Sequence, residues 1–150
     1  MFSKVVLSAE EFCKYLIGTD STLGPSLRNK NKMPYAVKLA GNGMIIGLAN
    51  DITGEVIGVI AGYFNAKEGG TAFISFFHVI HKYRGQGFGR LLFGLAVDEA
   101  GKARLPTIEL KVNRTNSNAI NFYKHLGFEI NVEESHQFTM KFLCECHSNS

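Results

Sequence analysis

A chain of 150 residues, 45% of them hydrophobic, can bury one substantial core and is short for two, so a single domain over residues 1–150 is expected. Sixteen Lys and Arg against thirteen Asp and Glu leave a net charge of +3, far below the basic excess of a dedicated nucleic-acid binder, and favour at most an anionic ligand. No apolar run approaches the ~18 residues that cross a bilayer, and Val5-Val6-Leu7 gives way to Glu10 and Glu11 instead of a secretory segment, so a cytoplasmic chain without a membrane partner is expected.

Val5 to Leu7 reads as a short strand. Ser8 followed by Glu11 is a capping box, and Ala9, Phe12, Cys13, Leu16 and Ile17 then recur at helical spacing, so a helix runs from there to a stop at Gly18. Thr19 to Lys32 is polar, holds Gly24-Pro25 and reads as a loop. Pro34 to Leu39 is a short helix, with proline in its first turn and Gly41-Asn42-Gly43 as its stop. Met44 to Asn50, Glu55 to Asn65 and Thr71 to Val79 are rich in β-branched and aromatic residues, and their short connections predict consecutive antiparallel strands.

Phe88, Leu91, Leu92, Leu95, Ala96 and Ala103 form the stripe of a further helix, followed by a strand at Thr107 to Val112. Ala119, Ile120, Tyr123 and Leu126 mark another helix, ended by Gly127, and strands at Phe128 to Val132 and His136 to Leu143 complete a mixed α/β domain without internal repeats. Phe138 to Phe142 is apolar enough to suggest strand pairing across a homodimer. Cys13, Cys144 and Cys146 are an odd set that builds no disulfide framework and suits reduced thiols. Cys144-Glu145-Cys146-His147 reads as part of a metal site or as a frayed tail; lacking a second ligand pair at suitable spacing, the chain is expected to hold no metal.

The most informative stretch is Arg84-Gly85-Gln86-Gly87-Phe88-Gly89-Arg90, set between a strand-like run and an amphipathic helix. Glycines at such a turn let backbone approach a ligand, and the exposed N–H groups with the helix dipole attract phosphate. Arg90 and Leu91 stand where a nucleotide P-loop needs lysine and a hydroxyl, which excludes that loop. A dinucleotide fingerprint has different glycine spacing and follows the first strand of a parallel sheet, although Glu109, roughly twenty residues on, mimics its ribose-binding acid. A plain tight turn is the remaining alternative.

Tyr83-Arg84-Gly85-Gln86-Gly87-Phe88-Gly89 resembles the acetyl-CoA-binding motif of the GNAT N-acetyltransferase family. Downstream, Asn116 to Phe128 resembles the family's Asn-x-x-Ala-x-x-x-Tyr-x-x-x-Gly-Phe segment. The resemblance implies an acyl-CoA N-acyltransferase fold: a central, mostly antiparallel sheet of about seven strands flanked by about four helices. It implies acetyl-CoA as co-substrate, with Arg84, Gly85, Gln86, Gly87, Phe88, Gly89 and Arg90 around its diphosphate. Phe77 to Val79 would splay from the next strand and pair with the pantetheine arm, so that Phe77 and Val79 count as binding residues.

Asn116 matches a coenzyme-contacting position and equally suits a helix N-cap. Tyr123 matches the family's general acid near the thiol and equally suits packing on its helix. An alkylammonium of pKa ~10.4 must lose a proton before attack, and His78 and Glu109 are the candidate bases, unless strand alternation sends them to core or solvent. Cys13 and Cys144 lie away from the inferred cleft, which favours direct attack by the amine over an acyl-cysteine. Acceptor recognition in such a fold falls to the first helix pair, its loop and the last strands. Arg28, Lys30 and Lys32 could draw a phosphorylated amino sugar or a nucleotide-sugar, or merely solvate the loop. A small-molecule amine is the expected acceptor; a protein or peptide amine and a non-catalytic CoA-binding module are the alternatives.

Overall fold

In a computed structural model of the protein, residues Met1 to Cys144 are described; Glu145, Cys146 and His147, and with them the metal reading of the tail, lie outside the described residues. The elements in chain order are β1 (Phe2–Val6), α1 (Ala9–Gly18), α2 (Met33–Asn42), β2 (Met44–Asn50), β3 (Val56–Tyr63), β4 (Thr71–Val79), α3 (Phe88–Lys102), β5 (Thr107–Asn113), α4 (Ser117–Leu126), β6 (Glu129–Glu133) and β7 (Gln137–Leu143). Strand order in the seven-stranded sheet is β1-β2-β3-β4-β5-β7-β6. The chain forms two compact packing units, Met1–Gly62 with Phe76–Phe93, and Tyr63–Ser75 with Gly94 onward.

In the first unit β1 pairs antiparallel with β2, from Phe2 opposite Asn50 to Val6 opposite Ile46, and β2 pairs antiparallel with β3. Ile45 to Leu48 and Ile57 to Ala61 are buried without a break, which is why these strands read as continuous apolar runs rather than as alternating ones. The capping box of α1 is formed in both directions: Glu11 N–H donates to Ser8 Oγ and Ser8 N–H donates to the Glu11 carboxylate. Caps of this kind stabilise a helix by about 1 kcal/mol. The buried face of α1 is Phe12, Cys13, Tyr15 and Leu16. Ile17, expected on that face, is 64% exposed because it lies one residue, about 100° of helix, past Leu16.

In the second unit Thr71–Ile74 of β4 pairs parallel with Thr107–Leu110 of β5, and β5 pairs antiparallel with β7 along its whole length. Ile108, Leu110 and Val112 bury one face of β5, and Glu109 sits on the other. Helix α4 ends in a Schellman motif: Gly127 adopts a φ of 114°, its N–H donates to Lys124 O, and Phe128 N–H donates to Tyr123 O. β7 is paired on both sides, with β5 and with β6. The apolar stretch Phe138 to Phe142 therefore has no open edge for a dimer, contrary to the sequence expectation, and β6 ends that side of the sheet. No helix among the described residues is long and apolar enough to cross a membrane.

The join between α2 and β2 depends on a missing side chain. A Cβ built on Gly43 would lie 2.2 Å from the carbonyl oxygen of Gly62, whereas one on Gly41, two residues earlier, would meet nothing within 4 Å. Gly43→Ala is expected to destabilise the protein by about 1–3 kcal/mol through overpacking against backbone. Gly41→Ala should be neutral or stabilising by up to about 1 kcal/mol from helix propensity. Urea unfolding of the pair checks this, and equal midpoints would contradict it.

Candidate active site

The turn from β4 into α3 is built from the glycines singled out in the sequence. Gly85 and Gly87 have φ values of 77° and 90°, a left-handed backbone that disfavours any L side chain. A Cβ on either would meet nothing within 4 Å, so the space beside the turn is open. Gly87 O accepts the N–H of Leu91 and opens α3 at Phe88, and the first turn of a helix in general turns its N–H groups outward from the helix start. Aromatic packing fixes both flanks of the turn. The Phe2 ring lies 4.7 Å from Phe88 and 6.0 Å from Tyr83, and Tyr83 and Phe88 are 6.0 Å apart. Gln86 Nε2 donates to Lys82 O at 3.1 Å. An open cradle of backbone at a helix N-terminus fits a diphosphate.

Arg84 turns back from the glycines: its Nε donates to Val79 O at 2.8 Å, and one terminal nitrogen lies 3.4 Å from His78 Nε2. His78 itself is held by three elements. Tyr15 Oη on α1 is 2.7 Å from Nδ1, and Thr22 Oγ1, in a short 3-10 helix at Asp20–Thr22, is 2.9 Å from Nε2. On its own strand, Phe76 stacks at 5.9 Å. Burial, then the Arg84 charge, lowers the imidazole pKa to about 4, so it is neutral at physiological pH. Burial also pushes the Tyr15 phenol well up. The loop after α1 is tied internally by Asp20, which accepts from the backbone N–H of Asn29 at 2.9 Å and from the Lys32 ammonium. The lysine hydrogen bond, first, and that backbone bond hold the Asp20 carboxyl below its usual range. Lys32 is only 5% exposed, so of the basic trio only Arg28 and Lys30 present charge to solvent.

The second unit holds the other expected residues. Asn116 is exposed and caps α4, its side chain accepting the N–H of Ala119 at 3.2 Å. Tyr123 is half-buried against Phe122 and Phe128, with ring centroids 5.8 and 5.9 Å away, and burial pushes its phenol up to about 12. Glu109 is half-buried, facing Phe73 of β4 on one side and Lys141 of β7 on the other. Among the described residues no group of His, Cys, Asp or Glu gathers as a metal site. Tyr15, Thr22 and Phe2 escaped the sequence reading. Tyr15 follows Phe12 at helical spacing, a signal that marks a buried face but not a hydrogen bond to a residue 63 positions on.

The sequence profile of the acetyltransferase (GNAT) family matches residues 11–128. The chain belongs to that family. It is an acetyl-CoA-dependent N-acetyltransferase, and the glycine turn falls inside the matched span. A search of curated proteins finds no match. Solved structures share the fold at low identity. The PaiA N-acetyltransferase from Thermoplasma acidophilum, solved in complex with coenzyme A, is similar over 95% of this chain and 99% of its own, at 17% identity and a TM-score of 0.75. Ard1 from Thermoplasma volcanium is 22% identical over 95% of this chain and 97% of its own, with a TM-score of 0.72. The IAA acetyltransferase from Bacillus cereus is 15% identical over 95% and 99%, with a TM-score of 0.71.

The lowered pKa of His78 links this acetyltransferase's stability to pH. The unfolded imidazole titrates near ~6.5, and the folded one only near about 4. Between those values the unfolded chain binds more protons, so the contribution is complete above the upper value and is lost as pH falls toward the lower one. Urea midpoints of the wild type should decline between pH 6.5 and 4, and those of His78→Asn should decline less. Parallel declines would contradict the assignment.

Proposed function

We propose that the chain moves the acetyl group of acetyl-CoA to the primary amine of a small molecule, with a phosphorylated amino sugar among the candidates, and acts as one catalytic domain in the cytoplasm. The glycine turn carries this reading: positive φ at Gly85 and Gly87, with open space where side chains would stand, leaves backbone beside the helix start for a diphosphate. Gln86 to Arg90 would hold that group through main-chain N–H, and Arg84, fixed on Val79 O, supplies nearby positive charge. Phe77 and Val79 are read as strand partners of the pantetheine arm. They lie in β4 beyond its ladder with β5, which closes at Ile74 and Leu110. When bound, the thioester supplies the acetyl group.

Tyr123 is assigned the departing sulfur. Its phenol, pushed up to about 12, keeps its proton against a thiolate of ordinary pKa ~8.5, so it would stabilise the sulfur by donating a hydrogen bond rather than by full proton transfer. Removal of the amine's proton is assigned to Glu109 or to solvent before His78, because both ring nitrogens of His78 are engaged. Both described cysteines, Cys13 and Cys144, are buried, which supports direct attack by the amine. Exposed Arg28 and Lys30 in the loop after α1 support an acceptor with an anionic group.

Calorimetry with acetyl-CoA tests the binding half. Gly87→Ala, strained at positive φ and intruding on the cradle, should weaken binding at least about tenfold, or 1.4 kcal/mol. Thiol release from acetyl-CoA with spermidine, glucosamine phosphate and a hexapeptide bearing a free α-amino group tests the acceptor half. The reading expects release with a small amine. Release with the peptide alone would replace the acceptor class, and release with none would overturn the small-amine reading.

A further inference from the structure

The proton positions around His78 follow from the hydroxyl that faces it. Thr22 Oγ1 donates its one proton to Thr19 O at 2.8 Å, so towards Nε2, at 2.9 Å, it has only lone pairs to offer. On this bonding pattern Nε2 carries the imidazole proton. Nδ1 is left as the acceptor, and Tyr15 O–H donates to it at 2.7 Å. The opposite tautomer would rely on the two longest contacts, Arg84 to Nε2 at 3.4 Å and Tyr15 O–H to His78 O at 3.4 Å, and would set two lone pairs against each other at Thr22. In the shorter set both ring nitrogens and both hydroxyls are paired, while the Arg84 terminal nitrogen, itself a donor, makes no hydrogen bond to a protonated Nε2. The titratable and charged groups facing the ring are thus Arg84, from the turn after β4, and Tyr15 from α1, which is neutral.

Asp20 joins the start of the loop to its end through Asn29 and Lys32, so the loop is a cross-linked body. Thr22 ties that body to β4 through the His78 ring. We propose that Thr22 is a positioning residue for acceptor recognition: by accepting the Nε2 proton of His78 it docks the loop of Arg28 and Lys30 on β4, with Tyr15 locking the ring from behind. This rests on the acceptor reading given above. His78 serves as the connecting hub, and its neutrality keeps one nitrogen a donor and the other an acceptor over the physiological range.

Thr22 is exposed, so Thr22→Val should fold, keeping the shape and losing the acceptor oxygen. Long-range proton–nitrogen NMR of the ligand-free protein should show His78 protonated on Nε2 in the wild type and in Thr22→Ser. In Thr22→Val that population should fall and exchange of the loop amides should quicken. For whichever amine of the panel is turned over, Thr22→Val should raise KM about five- to tenfold, the worth of one hydrogen bond, with acetyl-CoA affinity within about twofold and rescue by Thr22→Ser. An Nδ1-protonated ring in the wild type, or a Thr22→Val variant with unchanged His78 resonances and KM, would overturn the proposal. Absence of acetyl-CoA binding would sink the enzymatic reading instead, and the ligand-free spectra would still decide the docking.

Discussion

Backbone at Gly85 and Gly87 turns through a region of φ that side chains avoid, and the space outside that turn is empty. The chain accepts that conformation because both shoulders are fixed: Tyr83 and Phe88 pack on each other and on Phe2, brought there by the first strand. A helix N-terminus alone attracts an anion by only about 0.3–1 kcal/mol at an exposed site. What the glycines add is access, since several main-chain donors can reach one group together. In the proposed reading acetyl-CoA binding is a property of main-chain conformation more than of any side chain, and Arg84 fits that reading by committing its Nε to Val79 O.

The surroundings of the neighbouring His78 favour a structural part for it over the part of a base in the proposed reading. A base working near neutral pH wants a matched pKa and a lone pair aimed at its target. Here burial and the adjacent guanidinium take the imidazole well below neutrality, and Tyr15 and Thr22 occupy its two nitrogens. The same features suit a hydrogen-bond junction among α1, the loop after it and β4. A neutral ring in that position costs less to bury than a charged one, and each polar atom is satisfied.

Local signals were legible in the sequence and long-range ones were not. The Ser8–Glu11 box, the bounds of β2 and β4 and the stop at Gly127 each depend on residues a few positions apart, and each is found where it was read. The glycine turn was legible because φ preference is intrinsic to glycine. The contacts of Tyr15 and Thr22 with His78 span 63 and 56 positions, and no spacing rule encodes them. Apolar stripes misplaced their margins: Leu91 is 48% exposed while Phe93, left off the stripe, is buried. Composition suggested an open strand at Phe138 to Phe142, but pairing order is a property of the whole sheet and puts β7 inside it. Lys32 looked like part of a basic surface until its partner Asp20 was seen.

Backbone amide spectra recorded while coenzyme A is added test the central claim most directly. The account predicts that the largest shifts fall on the amides of Gln86, Gly87, Phe88 and Gly89, saturating together with the calorimetric isotherm. Saturable binding that leaves those four amides unmoved would contradict it.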